Sequence, residues 1–195
     1  MLPGSDENAI VGGDMGELKL LEDVCQQKGW WHRKVAIPYA FHTSCMEPLV
    51  DGLLKLGKTV TFSPPSTPVV SAMHGLVVEA GDPSIFSHEY FAQQARSPVL
   101  FRDSIDALGT RDAELASHGV WLEIGPHITV LPLIKRHKAV SDECWLGSSL
   151  RRGELDGEAI GQTLVGLYCA GMEVDRQEYG KELQVKGGVV ESGSG

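Results

Sequence analysis

The chain has 195 residues, of which 42% are hydrophobic and 22% charged, as is typical of a soluble globular protein of about one domain. Its 26 acidic residues outweigh its 17 basic ones to give a net charge of −9, which argues against nucleic-acid or anionic-membrane partners, because both need clustered cations. No apolar run approaches the roughly 18 residues of a membrane-spanning helix. The first residues lack a basic stretch followed by an apolar one, so we expect no signal peptide.

The cysteines and histidines predict neither a disulfide framework nor a metal site. The cysteines are Cys25, Cys45, Cys144 and Cys169. They show no C-x-x-C spacing, and we expect reduced thiols in a cytoplasmic protein. His88 and Glu89 do not begin an H-E-x-x-H motif, because Ala92 stands where the second histidine belongs. No other cluster of histidine and cysteine has the spacing of zinc ligands.

Short apolar runs on either side of an amphipathic stretch predict a β-α-β opening. We expect strands at residues 9–11 and 34–37, with a helix between them over residues 15–27 whose apolar side chains share one face. Gly29 supplies the left-handed residue that commonly ends a helix.

A second helix is predicted over residues 45–56, and two features compete for its first residue. Ser44 and Glu47 have the S-x-x-E spacing of a capping box, whereas Pro48 is well suited to the first helical turn. Residues 59–62 follow this helix and are rich in side chains that favour a strand.

The rest of the chain continues the alternation of strands and helices. Strands are expected at residues 69–71, 121–124 and 144–146, a loop over residues 75–83, and helices at residues 84–95, 101–108, 128–136 and 155–170. This alternation indicates an α/β protein. The last residues, 184–195, are rich in Gly and Ser and are expected to be disordered.

Two histidines stand where loops often carry chemistry. His42 follows the predicted strand at residues 34–37 and precedes a helix, so rigid elements on both sides could hold it as a general base. A partly buried histidine bonded to the backbone is the alternative, and position alone favours it. His127 lies in a Gly-Pro turn, where a plain turn residue is the alternative.

Several segments taken together resemble one enzyme family. Residues 37–48, I-P-Y-A-F-H-T-S-C-M-E-P, resemble the Y-A-F-H-S-x-x-M-x-P segment of malonyl-CoA:acyl-carrier-protein acyltransferases, and residues 121–127, W-L-E-I-G-P-H, resemble their E-I-G-P-H segment. Further matches in the family's order lie at residues 8–13, 68–71 and 96–101. Residues 149–152 and 167–175 resemble the linker that follows the acyltransferase in fungal non-reducing polyketide synthases.

The resemblance implies a division of the chain into four parts. Residues 1–40 would form half of a ferredoxin-like small subdomain, the β-α-β unit, and residues 41–140 the C-terminal part of a hydrolase-like acyltransferase core. Residues 141–183 would be the linker region that follows, and residues 184–195 a disordered tail. The chain is therefore identified, by resemblance, as the C-terminal half of an acyltransferase domain.

The chemistry implied by the resemblance is acyl transfer in polyketide biosynthesis, a branch of secondary metabolism. A serine attacks the thioester of malonyl-CoA, and the acyl group then moves to the phosphopantetheine thiol of an acyl carrier protein. By the match, His42 is the general base for these steps. Phe41 occupies the place whose bulky ring accompanies malonyl rather than methylmalonyl substrates. No bound cofactor or metal is implied.

Other residues receive supporting roles from the same resemblance. The turn formed by Gly125, Pro126 and His127 would orient the imidazole of the base, as the third member of a triad does. The cations Lys135, Arg136, Arg151 and Arg152 could contact an acidic carrier protein or the phosphates of CoA. Their alternative role is to complement the C-terminus of a helix, and it is the favoured one.

One motif of the family is missing from this sequence. The nucleophilic serine of these enzymes lies in a G-H-S-x-G elbow, and no G-x-S-x-G occurs among the 195 residues. We therefore expect the isolated chain to be inactive unless a serine-bearing segment comes from a longer parent or from another chain. A non-catalytic, truncated homologue that binds a carrier protein or a synthase is the alternative. Either way, a sheet edge and a core face would be left uncovered.

Overall fold

The computed structural model describes residues 9–175, which divide into two compact units between Ala113 and Glu114. Helices and short strands occur in both units, which confirms the α/β class. The expected tail at residues 184–195 and the end of the expected linker lie outside the described residues. Within residues 9–175, no helix combines the length and the apolar character needed to cross a bilayer.

The first unit contains four helices and one pair of strands among its described residues. In chain order these are α1 (Met15–Lys28), α2 (Glu47–Gly57), β1 (Val69–Ser71), β2 (Leu76–Val78), α3 (Tyr90–Arg96) and α4 (Phe101–Arg111). A single 3-10 turn, Ser44–Met46, directly precedes α2.

Helix α1 has the predicted position and the predicted end. The carboxylate of Asp14 accepts a hydrogen bond from the backbone N–H of Gly16 at 2.7 Å, and Gly29 ends the helix with a φ of 66°. The flanking strands predicted at residues 9–11 and 34–37 are absent. A strand requires a hydrogen-bonded neighbour, and neither segment has one within the described part of the chain.

Helix α2 begins at Glu47 with Pro48 in its first turn, so the proline alternative is confirmed and the capping box is wrong. The hydroxyl of Thr43, not that of Ser44, caps the preceding 3-10 turn by accepting a hydrogen bond from the N–H of Cys45 at 3.2 Å. The β-prone residues 59–62 form no strand.

Strands β1 and β2 form an antiparallel hairpin in which Val69 lies opposite Val78. The prediction of β1 is confirmed, whereas β2 lies within residues predicted to form a loop. Gly75 closes the tight connection with a φ of 66°. Helix α4 packs on this hairpin, and Ile105 contributes to the core of the unit, where Val78 is only 1% exposed.

The helices that follow the hairpin differ in extent from their predictions. The expected helix over residues 84–95 is confirmed only in its second half, because α3 begins at Tyr90. Helix α4 continues to Arg111, three residues beyond the expected end. Pro98 separates the two helices, as the sequence predicts.

The second unit is built around a parallel pair of strands. Its elements are α5 (Ala113–His118, beginning at the boundary), β3 (Val120–Glu123), α6 (Leu131–Lys135), β4 (Trp145–Ser148) and α7 (Asp156–Cys169). Val120 lies opposite Trp145 and Glu123 opposite Ser148. Helix α6 lies in the crossover between the strands, as a parallel pair requires a long connection. Helix α5 was not predicted, and α6 is shorter than residues 128–136.

Candidate functional site

His42 has an unusual backbone conformation. Its φ of 62° makes it the only residue other than glycine with a positive φ among residues 9–175. The backbone N–H of His42 donates a hydrogen bond to the carbonyl oxygen of Ala95 at 2.9 Å. Such conformations are costly for a residue with a Cβ, and they persist where surrounding contacts impose them.

The imidazole of His42 is held by the same end of α3. Its Nδ1 lies 3.0 Å from the carbonyl oxygen of Gln94. Because a carbonyl can only accept a hydrogen bond, Nδ1 carries the hydrogen and Nε2 of the neutral ring carries the free lone pair. The half-exposed ring is therefore oriented as a proton acceptor through Nε2.

The loop that carries His42 is also fixed from within. The hydroxyl of Thr43 donates a hydrogen bond to the carbonyl oxygen of Ala40 at 2.7 Å. Met46, which ends the 3-10 turn, is buried at 7% exposure. These contacts place His42 between a short hydrogen-bonded loop and the buried start of α2.

Phe41 lies directly before His42 and contacts the ring of Tyr39. Its ring lies 5.8 Å from the ring of Tyr39, centroid to centroid, in a tilted arrangement. Phe41 is 52% exposed and Tyr39 is 64% exposed. The aromatic pair thus presents a bulky apolar surface to one side of the histidine loop.

In the second unit, the turn at residues 125–127 is fastened at two points. The backbone N–H of Gly125 donates a hydrogen bond to Oγ of Ser149 at 3.0 Å. The backbone N–H of Arg152 donates one to Nδ1 of His127 at 3.4 Å. The turn after β3 is therefore tied to the segment after β4.

Glu123, at the end of β3, anchors the helix that follows this turn. Its carboxylate accepts hydrogen bonds from the backbone N–H groups of Thr129, Val130 and Leu131 and from the Thr129 hydroxyl, at 2.6–3.1 Å. Burial raises the pKa of Glu123, but the hydrogen bond from the Thr129 hydroxyl and those from the three backbone N–H groups outweigh it and lower the pKa to about 2. The carboxylate thus caps α6 in its ionised form.

His42 and the turn at residues 125–127 belong to different units. Within its own unit, the imidazole bonds to the carbonyl of Gln94, a partner that sequence reasoning missed. Every residue has a backbone carbonyl, so the identity of the side chain at position 94 does not indicate that its carbonyl binds His42. The available signal was Pro98, because a helix that stops just before a proline leaves its last carbonyl groups open to other donors.

The four candidate cations take different positions in the second unit. Lys135 is in the last turn of α6 and Arg136 directly follows it, where positive charge complements a helix C-terminus. Arg151 lies 3.7 Å from Glu154, and its Nε donates a hydrogen bond to Oγ of Ser148 at 3.4 Å.

The described residues also include cysteines and other possible metal ligands. All four cysteines are free thiols. Among residues 9–175, no group of three or more histidine, cysteine, aspartate or glutamate side chains is arranged to hold a metal ion.

Comparisons with known proteins identify relatives of the sequence. No protein-family model matches the chain. The chain is 37% identical over 171 residues to "Orsellinic acid synthase ArmB" of Armillaria ostoyae, covering 87% of this chain. It is 30% identical over 180 residues to "Conidial yellow pigment biosynthesis polyketide synthase" of Emericella nidulans, covering 92% of this chain. The chain spans only 8% of the length of either relative.

Solved structures share the fold. The acyltransferase domain from the second module of the salinomycin polyketide synthase matches with a TM-score of 0.71 and 26% identity, covering 92% of this chain and 40% of that domain. The acyl transferase domain of SpnD matches with a TM-score of 0.71 and 25% identity, covering 82% of this chain and 38% of its own. The chain is thus homologous to part of the acyltransferase domain of polyketide synthases, with fungal non-reducing polyketide synthases among its sequence relatives.

Proposed function

We propose that this chain provides the general-base histidine of a malonyl-CoA:acyl-carrier-protein acyltransferase in polyketide biosynthesis. The observation that carries the proposal is the hydrogen bond from Nδ1 of His42 to the carbonyl of Gln94, which leaves Nε2 as the proton acceptor. A base held in one tautomer by a second group is the arrangement that activates a hydroxyl nucleophile.

The proposed reaction has two halves, and His42 moves the proton in both. In the first half, Nε2 takes the proton of a serine hydroxyl while the serine oxygen attacks the thioester carbonyl of malonyl-CoA. Nε2 then gives that proton to the departing CoA sulfur. In the second half, Nε2 takes the proton of the phosphopantetheine thiol as its sulfur attacks the acyl-serine. That proton then returns to the serine oxygen.

The nucleophilic serine lies outside these 195 residues in this proposal. No G-x-S-x-G occurs in the sequence, and this chain covers only 40% of the matching acyltransferase domain of the salinomycin synthase. The chain would occupy the C-terminal part of the domain, with residues 1–40 in its small subdomain and residues 141–183 in the linker that follows.

The substrate and the carrier partner are proposed from the structural neighbours. One neighbour is a malonyl CoA-acyl carrier protein transacylase from Clostridium perfringens. Another is a malonyl-transacylase in complex with a type II polyketide synthase acyl-carrier protein. The ring of Phe41 would reduce the space in the acyl pocket and so favour malonyl over methylmalonyl groups. The cations Lys135, Arg136, Arg151 and Arg152 would contact the acidic carrier or the CoA phosphates.

The proposal is tested by supplying the missing nucleophile. The full chain is fused behind the serine-bearing part of the acyltransferase domain of a fungal non-reducing synthase, and malonyl transfer to a carrier protein is measured by mass spectrometry. We expect His42→Ala to reduce transfer by about 10²–10⁴-fold. The matched control, His88→Ala, changes a half-exposed histidine of the same unit and should leave transfer unchanged.

Two outcomes would oppose the proposal. Equal transfer rates for His42→Ala and the unchanged fusion would remove His42 from the reaction. Capture of the carrier protein by a fusion that transfers no malonyl group would favour the alternative of a non-catalytic binding fragment.

A further inference from the structure

Two hydrogen bonds tie His42 to the last turn of α3. The carbonyls of Gln94 and Ala95 accept the side-chain and backbone hydrogen bonds of His42, at 3.0 and 2.9 Å. The position of the imidazole therefore depends on where this end of α3 lies relative to the start of α2, which follows His42 in the chain.

An ion pair joins these two helix ends. Nη2 of Arg96, the last residue of α3, lies 3.0 Å from Oε2 of Glu47, the first residue of α2. Arg96 directly follows Gln94 and Ala95, the two residues whose carbonyls bond to His42. Glu47 lies five residues after His42 in the chain. The charges also suit their places, because a carboxylate is favourable at a helix N-terminus and a cation at a helix C-terminus.

The other ends of the two helices are held by packing. Helices α2 and α3 pack against each other, and Gly57, the last residue of α2, touches the backbone of His88 just before α3. The helices are therefore antiparallel neighbours. Close packing holds the end at Gly57. At the end where His42 is held, the ion pair between Glu47 and Arg96 adds to the packing of the 3-10 turn on α3.

We propose that Glu47 and Arg96 are positioning residues for His42. Their ion pair keeps the carbonyls of Gln94 and Ala95 within hydrogen-bond distance of the imidazole and of its strained backbone. The importance of this ion pair for catalysis rests on the proposed function. Its effect on the position of His42 is independent of that function. Both side chains are about half exposed, with 48% for Arg96 and 57% for Glu47, so the effect should be modest and should weaken in high salt.

The test reads the tautomer of His42 directly. The ¹⁵N chemical shifts of the imidazole, measured by NMR in the full chain at a pH chosen so that the spectra show the uncharged ring, report which nitrogen carries the hydrogen. We expect the unchanged chain to hold mainly the Nδ1–H form. Glu47→Gln and Arg96→Gln should each raise the Nε2–H fraction by about 2–5-fold, the range that loss of an exposed ion pair allows.

Two further variants separate positioning from general stability. Glu79→Gln breaks the ion pair between Glu79 and Arg111 in the same unit, and it should leave the tautomer unchanged. The double variant Glu47→Arg/Arg96→Glu restores opposite charges and should recover part of the Nδ1–H form. The proposal is overturned if Glu47→Gln and Arg96→Gln lower only the melting temperature and leave the tautomer of His42 unaltered.

The same spectra distinguish this proposal from the proposed function. A tautomer shift in these variants would support the positioning role even if the fusion with the serine-bearing part transfers no malonyl group. Acyl transfer that depends on His42, without any tautomer shift, would support the proposed function and reject the positioning role.

Discussion

At the scale of single residues, His42 shows how a costly backbone conformation can serve a side chain. A left-handed conformation costs a residue with a Cβ about 1–2 kcal/mol, and His42 has a φ of 62°. Hydrogen bonds to the carbonyls of Gln94 and Ala95 compensate for that cost and leave Nε2 facing away from them. Its neighbours are therefore as important for the proposed chemistry as the histidine itself.

The sequence singles out His42 as a candidate base, because a Y-A-F-H segment is carried by side chains that can be read directly. It could not identify Gln94, which acts through its backbone carbonyl and would do so with almost any side chain. The sequence contains Glu123 as the first residue of the E-I-G-P-H segment. It could not predict that the carboxylate accepts hydrogen bonds from Thr129, Val130 and Leu131, because these depend on a turn that only the folded chain forms.

Phe41 provides a test of substrate selectivity at the same scale. In the fusion with the serine-bearing part, Phe41→Ala removes the ring that packs on Tyr39 and opens space beside the base. A single methyl group is worth about 1–3 kcal/mol in such a pocket, so the preference for malonyl-CoA over methylmalonyl-CoA should fall by about 5–100-fold. Competition between the two thioesters measures the ratio. An unchanged ratio would mean that Phe41 does not line the acyl pocket.

Glu123 provides a test of stability and its dependence on pH. Because its folded pKa of about 2 lies below the ordinary 4.5, the carboxylate stabilises the fold above about pH 4.5, and this contribution is lost as the pH falls towards 2. The shift corresponds to at most about 3 kcal/mol. Screening by solvent reduces the expected loss in Glu123→Gln at pH 7 to about 1–2 kcal/mol.

Urea unfolding at pH 7 and pH 3 measures this contribution. The difference in unfolding free energy between the unchanged chain and Glu123→Gln should be smaller at pH 3 than at pH 7. Glu143→Gln, which changes an exposed carboxylate of the same unit, should lose no more than about 1 kcal/mol at pH 7. A difference for Glu123→Gln that grows at low pH would contradict the assigned role.

At the scale of elements, the chain's helices are better defined by local sequence than its strands. Helix α1 was predictable because Asp14 and Gly29 mark its ends, and Gly171, with a φ of 86°, marks the end of α7 in the same way. The strands expected at residues 9–11 and 34–37 failed for a physical reason. A strand is stabilised by its neighbour, and local sequence contains no information about which neighbour is present.

The contact between α2 and α3 can be tested with two glycines of the same helix. A Cβ at Gly57 would fall on the carbonyl oxygen of His88, whereas a Cβ at Gly52 would meet nothing within 4 Å. We expect Gly57→Ala to destabilise the chain by about 1–3 kcal/mol. Gly52→Ala should stabilise it by about 0.5–1 kcal/mol, because alanine favours a helix interior. Thermal unfolding measures both, and equal effects would contradict the packing described.

At the scale of the whole molecule, large apolar side chains near the start of the described chain lie open to solvent. Ile10 is 94% exposed and Trp31 is 74% exposed. Such surface is uncommon on a stable monomer, and it fits the proposal that the rest of an acyltransferase domain covers it. On mixing the chain with the serine-bearing part, tryptophan emission should shift to shorter wavelength. Trp31→Phe should reduce the shift, and full retention of the shift would mean that this surface stays open.

In the proposed mechanism, His42 removes the proton of an acyl-accepting serine. The most direct measurement is the first half-reaction alone, in which malonyl-CoA acylates the serine of the fusion in a single turnover without a carrier protein. We expect His42→Ala to slow formation of the malonyl-serine by at least about 100-fold and His88→Ala to leave it unchanged. Equal acylation rates in the unchanged fusion and in His42→Ala would contradict the account.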